Sequence, residues 1–172
     1  MKIVLRFILT FNSTSWVVIM YLIKEKFTIG KLPFWAFGSG LLLIPVIFSL
    51  FSLLLSNLLS KDELKNCIDI DSANIEYLAV YLGYLFVGLG IDDFSTLLFV
   101  YGIIFVFSFM SQSTFLNPLF LLLGYKFYHI TTKNNTKIYL ITKEEIHSSE
   151  GLVLNNLRRI NNNIYFSKKE NS

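Results

Sequence analysis

Two stretches of this chain carry no charged residue at all, 32–60 between Lys31 and Lys61, and 94–125 between Asp93 and Lys126. Each is longer than the roughly 20 apolar residues that cross a hydrocarbon core of about 30 Å. A helix of a soluble domain would interrupt such a run with a polar stripe every turn. The hydrophobic fraction is 53% and the charged fraction 16%, against roughly 45–50% and about 25% in soluble domains. The expected solvent is therefore lipid. The expected fold is a membrane all-α four-helix transmembrane bundle with a small cytoplasmic β-rich C-terminal module.

The chain divides into a four-span domain over 1–124, a β-rich module over 125–166 and a polar tail over 167–172. Spans are expected at about 3–23, 34–59, 75–91 and 94–114, with a short interfacial helix over 118–123. Lys2 and Arg6 before an apolar stretch imitate a signal peptide. However, Asn12-Ser13-Thr14-Ser15 interrupts the stretch and no small-residue cleavage site follows it, so an uncleaved first helix is expected. Trp16, Tyr21 and Lys24-Glu25-Lys26 near its end suit a membrane interface. Pro45 falls inside the second span, where a kink is tolerable because neighbouring helices re-satisfy the backbone.

The polar stretch from Ser60 to Glu76 reads as an extramembrane connection with a helical turn. The third span is the shortest, bracketed by Glu76 and Asp92, and has to cross with little tilt. Its Gly83, Gly88 and Gly90 read as helix-packing positions, although their spacing is not GxxxG. Asp92-Asp93 make a tight turn, and Ser111 to Thr114 mark a polar exit from the fourth span. Beyond it Asn117 suits an N-cap, Pro118 the first helical position and Gly124 the residue just past a helix end. Two readings stay open here: a separate short helix, or one long fourth helix kinked at Pro118.

After Gly124 the texture changes. Tyr125 to Thr131 and Lys137 to Thr142 are strand-like around the turn residues Thr132 to Asn135, a hairpin signal. Lys143 to Ile146 reads as a brief helical turn. Further apolar runs at 152–154, 157–160 and 164–166 follow, the last two separated by Asn161 to Asn163. So thin a core is expected to lean on the membrane domain or a partner.

Four spans put both ends of the chain on one side. That side holds Lys2, Arg6, Lys61, Lys65 and eight Lys/Arg of the C-terminal module, against only Lys24, Lys26 and Lys31 opposite. The positive-inside rule then assigns both termini and the module to the cytoplasm. Cys67, the single cysteine, falls on the reducing side as a free thiol.

No credible catalytic site emerges. No Asp, Glu, Lys or His lies at membrane depth, which argues against a pump or ion-coupled transporter. Asn12 to Ser15 and Ser111 to Thr114 read first as interhelical hydrogen-bond groups and second as a pore lining. His129 and His147 lack a second ligand at metal spacing, and Glu144-Glu145 read as a solvated face, so no metal or cofactor is expected. Arg158, Arg159, Lys168 and Lys169, with Tyr125 and Tyr128, are candidate contacts to anionic lipid or to an acidic partner surface. Glu144, Glu145, Glu150 and Glu170 among them argue against direct nucleic-acid binding.

The run Asn117-Pro118-Leu119-Phe120-Leu121-Leu122-Leu123-Gly124-Tyr125-Lys126-Phe127-Tyr128, followed by Ile138-Tyr139-Leu140-Ile141, resembles the membrane subunit of the bacterial Kiwa anti-phage defence system. The resemblance implies a homo-oligomeric inner-membrane sensor of envelope disturbance that holds a cytoplasmic DNA-binding effector. It implies no catalytic residues. Asn117, Pro118 and Gly124 then sit where a membrane event would pass to the soluble module. The competing expectation is a channel or pore-forming effector.

Overall fold

The structure, a computed structural model, describes residues 2–56, 58–64, 67–111, 119–146, 154–161 and 163–167. The helices are α1 (Lys2–Lys24), α2 (Phe34–Ser56), α3 (Asn74–Gly90), α4 (Phe94–Ser111) and the short α5 (Leu119–Leu122). The strands are β1 (Lys61–Leu64), β2 (Cys67–Ser72), β3 (Lys126–Thr132), β4 (Lys137–Thr142), β5 (Leu154–Arg159) and β6 (Ile164–Phe166). Three of the helices, α1, α2 and α4, are long and apolar enough to cross a membrane. The 17-residue α3 is apolar but shorter.

α1 is the hub of the bundle, touching α2, α3 and α4. It runs parallel to α3: at one end Lys24 donates to the Ile91 carbonyl at 2.8 Å and pairs with Asp92 at 2.6 Å. At the other end Arg6 donates to the Phe109 carbonyl of α4 at 3.2 Å. Asp93 opens α4 as an N-cap, accepting from the Thr96 hydroxyl and N–H. Those two bonds, the hydroxyl one first, hold its carboxyl below the usual carboxylate range.

The polar residues of α1 are turned inward. Thr10, Asn12, Ser13, Thr14 and Ser15 are all buried. Asn12 donates to the Ser49 hydroxyl of α2 at 2.9 Å, and Thr14 to the Tyr101 hydroxyl of α4 at 3.4 Å. This interhelical role is the first of the two readings of Asn12 to Ser15; residues 112–114 of the second cluster lie outside the described residues. Of the three glycines expected to pack, Gly88 does so most closely. A Cβ there would lie 2.5 Å from the Val17 carbonyl oxygen of α1, whereas one at Gly83 or Gly90 meets nothing within 4 Å. Gly88→Ala is expected to force α1 and α3 apart at a cost of about 1–3 kcal/mol. Thermal unfolding in detergent would show it, with Gly83→Ala as the silent control.

The connection after α2 differs from expectation. Instead of a helical turn it contains β1 and β2, and these form the two edges of a six-stranded sheet ordered β1-β5-β6-β4-β3-β2. The outermost of six flat strands would lie about 24 Å apart. Only two residues separate Leu64 from Cys67, so those Cα atoms are within about 11 Å of each other. The sheet is therefore curled until its edges approach, as a small barrel. Period-two alternation sorts its residues. Tyr128, Ile130, Ile138, Leu140, Leu157 and Tyr165 point inward, joined by Leu64, Leu154, Cys67 and Ile70 from the edges and the bulged strand. Phe127, Ile141, Ile164 and Phe166 point outward.

Other boundaries hold or move slightly. The β3–β4 hairpin forms where expected, with Asn135 at φ 56 in its turn. Lys143 to Ile146 is not helical; Glu145 instead pairs with Lys126 at 2.6 Å. Ser167, read as the start of a tail, is buried and donates its N–H to the Ile141 carbonyl at 2.7 Å. Continuity of α4 through Pro118 lies outside the described residues.

Candidate functional site

Outward-facing apolar residues on a small barrel need cover, and here the helix ends supply it. Leu5 and Leu9 of α1, Leu59 after α2, Ala73 before α3 and Phe120 of α5 pack against Phe127, Ile141, Ile160, Ile164 and Phe166. Hydrogen bonds fix the same joint. The Phe127 N–H donates to the Asn74 side-chain carbonyl, and the Phe127 carbonyl accepts from the Ala73 N–H, both at 2.9 Å. Arg158 of β5 donates to the Leu59 carbonyl at 2.8 Å. Each of these elements thus ends on the barrel.

α5 enters this joint through Phe120. It stops at a Schellman motif: the Gly124 N–H bonds the Leu121 carbonyl and the Tyr125 N–H the Phe120 carbonyl. Gly124 sits at φ +81, which is why a glycine is required although its Cβ position is empty. The turn delivers Tyr125 between Phe120, 6.0 Å away edge-on, and Phe166 at 5.1 Å. The Lys143 ammonium lies 4.8 Å above the same ring. Burial pushes the Tyr125 hydroxyl pKa up. The result is an aromatic stack that ties α5 to the barrel.

A family model for the anti-phage protein KwaA matches residues 5–166. The chain belongs to the KwaA family. No curated protein and no solved structure matches it. The match opens at Leu5 and closes at Phe166, and both residues lie in the core of the joint. The KwaA unit is therefore bundle, joint and barrel together, and its family is one of anti-phage proteins.

Within this KwaA-family chain the sequence candidates are distributed unevenly. Gly124 and Tyr125 are at the joint. Tyr128 is inside the barrel, 6% exposed, with its hydroxyl accepting the Ile146 N–H, so it offers no contact surface. Arg158 holds Leu59, and Arg159 faces Asp62 at 3.9 Å, Tyr165 and the Asn161 carbonyl. Arg158 is thereby engaged within the molecule, whereas the Arg159 side chain stays 37% exposed. Lys168, Lys169, Asn117, Pro118 and His147 lie outside the described residues. His129 packs on Tyr139 with ring centroids 4.5 Å apart. Among the described residues no three His, Cys, Asp or Glu come together as a metal site. Burial raises the Cys67 thiol pKa.

Asn74 and Leu59 are joint residues that the sequence did not single out. Arg158→Ala is expected to cost the joint about 1–3 kcal/mol, because it leaves the buried Leu59 carbonyl without its donor. A lipid contact alone would instead weaken binding to anionic vesicles and leave barrel stability unchanged.

Proposed function

We propose that the chain is a four-pass inner-membrane protein that acts in anti-phage defence as a non-enzymatic sensor, holding a cytoplasmic effector through its barrel. The observation that supports this most is the shared sheet. β1 and β2 lie between α2 and α3, whereas β3 to β6 follow α4, yet all six strands pair. One sheet cannot lie on both sides of a bilayer, so α3 and α4 cross together or not at all. α4 is long and apolar enough to cross, so α3 crosses with it. At about 25 Å its 17 residues fall short of the core, a mismatch met by an upright pose and local thinning. Leu5 and Leu9 likewise keep the start of α1 on the barrel side. That side carries most of the Lys and Arg, which favours the cytoplasm.

The polar interior favours a sensor over a channel, since Asn12 and Thr14 are engaged between helices. The apolar outer faces of α2 and α4, exposed at residues such as Ile47, Leu54, Phe99 and Phe107, suit lipid or further copies of the chain. The test is co-purification of cytoplasmic protein with the tagged, detergent-extracted chain from phage-challenged cells. A specific soluble partner, lost when residues 125–172 are deleted although the chain stays in the membrane fraction, is expected. Retained capture, or membrane depolarisation by the chain alone, would contradict it.

A further inference from the structure

Beside the joint, α1, α3 and α5 enclose a side groove of about 290 Å³, lined among others by Trp16, Leu78, Tyr81, Leu85, Leu119 and Leu122. Leu78 to Leu85 spans about 10 Å of α3 and begins about 6 Å inside its barrel-side end. The groove thus runs along the middle of α3, from about 6 to about 16 Å of its roughly 25 Å, mostly in the half nearer the barrel. It opens sideways: Leu78 is 53% exposed and Leu122 82%, and Ile75, Leu82 and Phe86 continue the same exposed apolar surface.

A helix laid over the groove would place only single side chains in it, whereas a flexible acyl chain can lie along its whole length. The groove is apolar and continuous with the lipid-facing surface. We propose that it holds one acyl chain of a phospholipid from the barrel-side leaflet, and that its occupancy sets the position of α5. This deepens the sensor reading and rests on it. Leu119 and Leu122 line the groove, while Phe120 between them sits in the joint with Tyr125. A change in lipid packing that fills or empties the groove moves α5, and α5 is tied to the barrel.

The fluorophore needed is already in place, because the chain has two tryptophans and one of them, Trp16, lines the groove. In a Trp35→Phe background the protein is reconstituted into vesicles of phosphatidylcholine brominated along its acyl chains. Trp16 emission is expected to be quenched. Leu78→Phe with Leu122→Phe, both at exposed positions, fill the groove and are expected to remove most of that quenching. Unquenched Trp16 overturns the proposal, as does quenching that the filled variant keeps, since that is contact with the general lipid annulus. Cross-linking of the groove to a second copy also overturns it. Effector capture is read separately, so a lipid-filled groove without capture overturns the sensor reading and leaves the lipid site standing.

Discussion

Leu140→Ala is expected to unfold the barrel while leaving the helices in the membrane. Leu140 is fully buried on β4, where it faces Tyr128 of β3 on one side and Tyr165 of β6 on the other. Deleting a side chain from such a site costs about 2–5 kcal/mol, the transfer term plus the cavity left behind. A small domain has only about 5–15 kcal/mol of stability to lose, and this interior is built from about ten side chains. Limited proteolysis should then cut within β3 to β6 while α1 to α4 remain protected by detergent or lipid. Effector capture should fall with it. A barrel that resists protease as well as the unaltered chain would contradict the place of Leu140 in its interior.

Phe120→Ala probes a different link. Phe120 is 3% exposed and belongs to the joint, not to the barrel interior. Truncating it removes about 3–5 kcal/mol of packing from the contact between α5 and the outer face of the sheet, and leaves the Tyr125–Phe166 pair without its third ring. The barrel is expected to stay folded and to capture its effector, whereas protection against phage is expected to be lost. Hydrogen exchange should rise at the Tyr125 and Gly124 amides, whose acceptors are on α5. Loss of capture together with loss of folding would make Phe120 a stability residue and not a coupling one.

Legibility in the sequence followed the range of the interactions. The helix stop at Gly124 was readable because it acts within five residues, and the β3–β4 hairpin because its turn residues are local. β1 and β2 were not. Lys61, Asp62, Glu63, Asp69 and Asp71 look like a solvated loop, and the partners of these strands are 50 to 100 residues away in the chain. The charges are there because both strands are edges, where outward-facing charge discourages unwanted pairing. Tyr128 and Arg158 were read as surface contacts because residue type does not reveal direction. The pleat turns Tyr128 inward, and the Leu59 carbonyl claims Arg158.

The crossing of α3 with α4, and the cytoplasmic face proposed for the barrel, are tested most directly by thiol labelling in a Cys67→Ser background, with Asp92→Cys at the exposed α3–α4 turn and Lys133→Cys at the exposed β3–β4 turn. Only α4 separates these positions, so a crossing α3–α4 pair puts them on opposite sides. A membrane-impermeant maleimide should label Asp92→Cys in intact spheroplasts, and Lys133→Cys only after they are opened. Labelling of both from the same side would show that α3 and α4 do not cross, and labelling of Lys133→Cys alone from outside would put the barrel on the opposite face of the membrane.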